Sequence, residues 1–299
     1  MVQKSDMRGP VYAVLSAMAI AVAPLATKQA LGTVNPETFS LLWSLLAFMS
    51  ASTYAASKGG FNSFQRFRQC WQFVIGIGVL TAASVLAFSM AVRLTDPTLL
   101  SFFTRLEAIF TILLGMLIFK EHLNRLELLG AITTISGALI MIYRAGEIVL
   151  FAFVLGLIVA LFTSISTLLA KVTVRYLEPA ILVAVSRLVA CLFTLLYAIA
   201  FGVLQLPSSI SFLIILIGAL FGPFLGFMFL YKALSFFEVS RVSAIRTSFP
   251  FFVALYSFLI FHTIPGPRQV LGGGIIIVGI LVLISGWSHN KELKGESLG

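Results

Sequence analysis

Four charged residues interrupt long apolar runs of this sequence: Arg105, Glu107, Arg187 and Arg246. A charge at the centre of a bilayer costs at least ~2.5 kcal/mol and faces a bundle interior or a wet cavity. Arg105 follows Pro97 by eight residues, and Arg246 follows Glu238 by eight. At 1.5 Å of helical rise, each lies roughly 12 Å inside its helix, too deep for easy snorkelling. A guanidinium presents a planar fork of donors that grips a carboxylate or phosphate through two hydrogen bonds. The chemistry these residues offer is recognition of an oxyanion.

Hydroxyl groups accompany both arginines. Thr98, Ser101, Thr104 and Arg105 are spaced by threes and fours, as are Ser240, Ser243, Arg246 and Thr247. That spacing puts each set on one helical face. One reading makes the two stripes the walls of a central cavity, with Ser101, Thr104, Ser243 and Thr247 beside the arginines. The other makes them packing stripes, in which Ser and Thr hydrogen-bond between helices and the arginines are paired internally. Glu107 is two residues from Arg105, about 200° around the helix, so the two do not share a face. It is expected to pair with Arg187 or Arg246 across helices, or to take up a proton during transport, since burial raises a carboxylate pKa. Arg187 is read equally as a structural partner and as a substrate contact.

Other chemistry finds little support. His122 and His262 sit in connectors without metal-ligand spacing, and Cys70 and Cys191 form neither a metal pattern nor a disulfide framework. No catalytic residue, metal or cofactor is expected. A membrane-embedded enzyme would need a nucleophile, a base or a metal cluster, and none is visible. A channel or a sensor is a further alternative, but a sensor would carry a soluble output domain.

The elements that position these residues are set by composition. Of 299 residues, 60% are hydrophobic and 10% charged, and the mean hydropathy is +1.06. Soluble domains average about 45–50% apolar and 25% charged residues, so this chain needs lipid as solvent. Apolar runs near 10–28, 38–57, 71–92, 97–119, 126–143, 149–170, 180–202, 210–231, 239–261 and 268–287 match the ~20 residues that cross a hydrocarbon core. In lipid they must be helices, because the backbone has to satisfy itself. Pro24, Pro223 and Pro250 fall inside runs and are expected to kink them. The pattern before Ala21-Val22-Ala23 faintly resembles a cleaved leader, but nine further apolar runs favour a retained first helix.

The net charge of +9 reflects topology rather than nucleic-acid binding. With the N-terminus inside, inner segments hold thirteen Lys and Arg residues and outer segments four (Lys28, Arg93, Arg144 and Arg268). Both termini are therefore expected in the cytoplasm, at the inner membrane.

The two halves are similar. At an offset of 142, Gly76 falls on Gly218, Ala91 on Ala233, Asp96 on Glu238, Gly130 on Gly272 and Gly137 on Gly279; at 143, Pro36 meets Pro179 and Lys28 meets Lys171. Five helices per half is an odd number, so the second half is inverted. The expected architecture is all-α, with ten transmembrane helices as two inverted five-helix repeats at 1–147 and 148–288 and a cytoplasmic tail at 289–299. Inverted repeats are a transporter architecture with the substrate at the repeat interface.

On these residues the chain resembles the drug/metabolite transporter superfamily, in its EamA-type branch. The resemblance spans essentially all ten helices. It is most specific from Leu94 to Tyr143, through Asp96-Pro97-Thr98, Arg105-Leu106-Glu107-Ala108, Phe119-Lys120-Glu121-His122-Leu123, Leu129-Gly130 and Ser136-Gly137. The second copy keeps Pro250, Leu271-Gly272 and Val278-Gly279 but has Thr263 where the first has Glu121, and Ala108 stands where the second has Pro250. Arg187 resembles an arginine common in the seventh helix of the family. The resemblance implies a basket of ten helices with alternating access to a central cavity. It also implies export or exchange of a small solute, members moving amino acids, nucleotide sugars, sugar phosphates and drugs.

The expected activity is transport of a small polar or anionic organic metabolite, with Arg105 and Arg246 binding its oxyanion. The expected partners are this solute and the lipid bilayer, without nucleic acid; a homodimer is open to such a bundle.

Overall fold

The structure, a computed structural model, describes residues 7–58, 66–94, 106–121, 123–142, 150–262 and 266–296. It is all-helical among these residues, and its helices group into ten. They are α1 (Arg8–Ile20, resuming as Ala23–Ala30), α2 (Pro36–Ser57), α3 (Phe67–Leu94), α4 (Leu106–Phe119), α5 (Arg125–Ile142), α6 (Leu150–Thr173) and α7 (Pro179–Ala200). Then come α8 (Ser209–Ala219, Leu220–Gly226 and Phe227–Phe236), α9 (Val239–Arg246, resuming as Phe249–Phe261) and α10 (Pro267–Glu296). Among the described residues, seven helices are long and apolar enough to cross a membrane by length and composition, and Leu106–Phe119 and Val270–Gly286 are shorter apolar helices. The last helix continues to Glu296, into the stretch expected as a tail.

The halves interlock by an inverted rule. Helix α2 packs on α7, α4 on α9 and α5 on α10, while α3 on α6 is mirrored by α8 on α1. Lys120 and His262, 142 residues apart, both adopt the left-handed backbone conformation, with φ of 53° and 52°. Each closes the helix before it, as a left-handed C-cap does. The α5–α10 seam is set by small residues from both halves. A Cβ on Gly130 would stand 2.5 Å from the Leu283 nitrogen, and one on Gly137 2.8 Å from the Gly272 oxygen. Glycine lets the two backbones touch, which is how helices associate where lipid supplies no hydrophobic drive.

Three helices break where proline dictates. Proline at position i lacks an amide hydrogen and its ring clashes with the carbonyl of i−4. The first piece of α1 ends at Ile20, four residues before Pro24; that of α8 ends at Ala219, four before Pro223; that of α9 ends at Arg246, four before Pro250. In α8 the chain continues as a π-helical segment, Leu220–Gly226, whose wider turn accommodates the ring.

Candidate functional site

The three breaks converge. Ile20 and Pro24 of α1, Gly222 and Pro223 of α8, and Phe249 of α9 all line one cavity of ≈ 490 Å³. Irregular backbone at membrane depth is tolerated where it lines a cavity, and a volume of about 300–1,000 Å³ is usual for a small-molecule site. The remaining walls come from α2 (Phe39, Ser40, Trp43), α3 (Thr81, Ser84, Val85, Phe88), α6 (Val159, Thr163, Ser166) and α7 (Arg187). The cavity reaches the surface beside Lys28 and Gly32, both exposed.

Its shape rests on glycines facing an indole. A Cβ on Gly218 would stand 2.6 Å from the Trp43 ring, and one on Gly222 3.0 Å from it. The bare face of α8 leaves room for Trp43, which packs at a tilt of 31° on Phe39 with ring centroids 4.9 Å apart.

Two polar groups on the lining stand out. Arg187 is 4% exposed, and its guanidinium lies over the Phe227 ring, 4.3 Å from the centroid. Among the described residues no carboxylate forms an ion pair with it. Ser84 is 8% exposed and its hydroxyl has no hydrogen-bond partner among the described residues. By contrast, Thr27 and Thr163 turn their hydroxyls back to the carbonyls of Ala23 and Val159.

The stripe residues fall elsewhere. Arg105, Ser101 and Thr104 lie outside the described residues. Arg246 is paired with Glu107 at 3.5 Å, and its Nε has no partner among the described residues. Ser243 is buried, and Thr247 donates to the Ala244 carbonyl. Ser243, Arg246 and Thr247 are not among the residues lining this cavity, whereas Arg187 is. Sequence reading did not select Thr81, Ser84, Thr163 and Ser166; their signal was hydroxyls recurring three apart within apolar runs.

At the opposite end of the bundle the halves are tied by charge. Both Glu121 carboxylate oxygens accept from the first amides of α9: Oε1 from Val239 and Oε2 from Ser240, each at 2.9 Å. Oε2 also accepts from the Ser240 hydroxyl at 2.6 Å. An acid at a helix N-terminus satisfies orphan donors and meets the positive end of the dipole. Within the second half Lys171 performs the converse task for α8, donating to the Leu234 and Phe237 carbonyls at 2.7 and 2.6 Å. Arg241 bonds Glu127 through Nε at 2.6 Å and Glu238 through a terminal nitrogen at 2.5 Å.

The model of the EamA-like transporter family matches residues 7–143 and again 150–285, one copy per half. The chain belongs to the EamA-like transporter family. This EamA-family transporter is 28% identical over 136 residues to an uncharacterized transporter of Haemophilus influenzae, a match covering 45% of this chain and 44% of that protein. The chain thus matches less than half of that relative's length. It is 24% identical over 131 residues to an uncharacterized transporter in the cobO 3′ region of a Sinorhizobium species, covering 44% of this chain and 93% of that protein. A crystal structure described only as that of a protein superposes with a TM-score of 0.80 at 17% identity, covering 92% of this chain and 95% of the other. That likeness concerns the fold. The family makes this chain a multi-pass membrane protein.

Proposed function

We propose that this transporter moves a small polar or anionic organic solute by alternating access, with the cavity between its halves as the solute chamber. The observation that carries the reading is a chamber bounded by three broken helices and open at one end, while the other end is sealed by contacts between the two repeats. Lys120, Arg125, Lys171, Arg175 and Arg241 gather at the sealed end, which the distribution of positive charge assigns to the cytoplasm. The described conformation is then open to the outside, with both termini inside the cell, and the direction of transport in this reading is outward, by export or exchange. Glu107 and Arg246 act in this reading as a pair joining α4 to α9 beside the chamber.

The test compares metabolites inside and outside cells that express the wild type, Thr163→Trp or Arg246→Ala at equal levels. Thr163→Trp fills the chamber and is expected to abolish a solute shift that the wild type produces. A shift that survives Thr163→Trp but vanishes in Arg246→Ala would move the solute site to the stripe of α9. No wild-type shift for any solute would overturn the transport reading.

A further inference from the structure

We propose that the solute is an organic monocarboxylate with an apolar body and no ammonium group, its carboxylate held by Arg187. This rests on the transport reading and names the substrate class of the same chamber.

Arg187 is a buried cation that no carboxylate among the described residues neutralises. A guanidinium in a low-dielectric site demands compensation, since burying an unpaired charge costs several kcal/mol. The Phe227 ring covers one face of the guanidinium, and stacking of that kind adds attraction but accepts no in-plane hydrogen bond. The N–H donors at the edges of the guanidinium form no hydrogen bond that is seen among the described residues, Arg187 lines the chamber, and the fork of donors matches a carboxylate. Lys28, the other cation on the lining, is exposed at the mouth and is hydrated there. One buried positive charge matches one negative charge. A phosphate dianion would leave an excess negative charge at the chamber floor.

The lining also excludes an amine. Among its described residues there is no Asp or Glu, so an ammonium group would enter beside two cations with nothing to neutralise it. Amino acids are disfavoured for that reason. The rest of the wall specifies an apolar body, with Phe39, Trp43, Phe88 and Phe249 facing the space. Ser84 adds a site for a second polar group. Gly78 packs against α7 between Ser186 and Val189, level with Arg187, and Ser84 is six residues further on. The free hydroxyl thus lies roughly 9 Å nearer the mouth. A solute bound at Arg187 would reach it with its far end.

The test is equilibrium binding to purified full-length protein in nanodiscs. The probes are 3-phenylpropionate, 3-phenylpropylamine (same body, opposite charge), acetate (no body) and phenyl phosphate (a dianion). Phenylpropionate is expected to bind, with each of the others about tenfold or more weaker. Arg187→Gln should lose about tenfold or more, as for a lost charge-assisted pair; Arg187→Lys should retain part of the binding, and Ser84→Ala should leave phenylpropionate unaffected because that probe has no far polar group. Equal binding of the amine and the acid, equal binding in a folded Arg187→Gln protein, or no binding of phenylpropionate would overturn the inference. Should Arg187→Gln fail to fold, the acid–amine comparison on the wild type decides it. Carboxylate binding without any metabolite shift in cells would leave the site standing and discard the transport reading. A metabolite shift without carboxylate preference would do the reverse.

Discussion

The two ends of the bundle are built from matched parts, and their charged side chains hold different things. At the sealed end Glu121 caps α9 and Lys171 caps α8. At the open end Lys28, the sequence match of Lys171, lines the mouth of the chamber. Neutral bonds join the halves there among the described residues: Asn35 donates to Gln205 at 3.0 Å, Gln205 to Thr38 at 2.9 Å, and Thr33 meets Ser211 at 2.7 Å. Packing follows the same division. One large buried cluster runs from Ile77 and Leu182 to Tyr231, Phe237 and Ile245. Around the chamber it gives way to three small clusters, near Trp43, Val159 and Phe249. Inverted repeats supply equal scaffolds at the two ends, and single residues decide which end is tied. Position 263, the match of Glu121, is Thr, and position 97, the match of Val239, is Pro, which has no amide hydrogen to donate. The three-bond cap at Glu121 therefore has no equivalent in the sequence of the other repeat.

The largest effect should come from Glu127→Ala. Glu127 is fully buried, and Arg241 would keep only Glu238. Removing one member of a buried pair typically costs about 3–5 kcal/mol, and the purified protein should melt at a clearly lower temperature. A melting temperature within error of the wild type would show that the sealed end contributes little to stability.

Glu121→Ala should come next, at about 2–3 kcal/mol, because two helix amides and a hydroxyl lose their acceptor. Its sharper signature is geometric. Cys70 and Cys191 are buried, so spin labels can be placed on Lys120→Cys and Phe236→Cys, both exposed in the described state. The distance between them should be short and narrowly distributed in the parent protein and gain a longer population in Glu121→Ala. An unchanged distribution would break the contrast between the ends.

The smallest effect is a paired one. Lys171→Ala strands two carbonyls and should cost about 1–2 kcal/mol. Lys28→Ala, for which no such bond is found among the described residues, should stay within about 0.5 kcal/mol of the wild type. Equal losses in melting experiments would mean that the two lysines do the same work in this state.

Much of the scaffold was legible before any fold was at hand. The 142-residue offset put the two halves in register, a register that the left-handed caps at Lys120 and His262 then obey, and the three prolines located the breaks, because a missing amide acts on the carbonyl four residues earlier wherever the helix sits. The site was less legible. Spacing brought out the stripe around Arg246 and left Arg187 ambiguous. The structure puts Arg246 beside Glu107 and puts Arg187 on the chamber wall. The signal at Ser84 was only a hydroxyl three residues from Thr81 in an apolar run.

That division has a physical cause. Hydropathy, proline positions and the spread of lysine and arginine are local or additive properties, and they determined by themselves that this chain is a bundle of helices in lipid, built as an inverted repeat with broken members. Which side of each helix meets which neighbour depends on the rotation and tilt that packing selects, and glycines such as Gly218, Gly222 and Gly130 act there only through partners far away in the chain. Only the tertiary structure could decide that Glu107 is spent on Arg246 and that Arg187 is left facing the chamber, since neutralising a buried charge depends on what comes within a few ångströms of it.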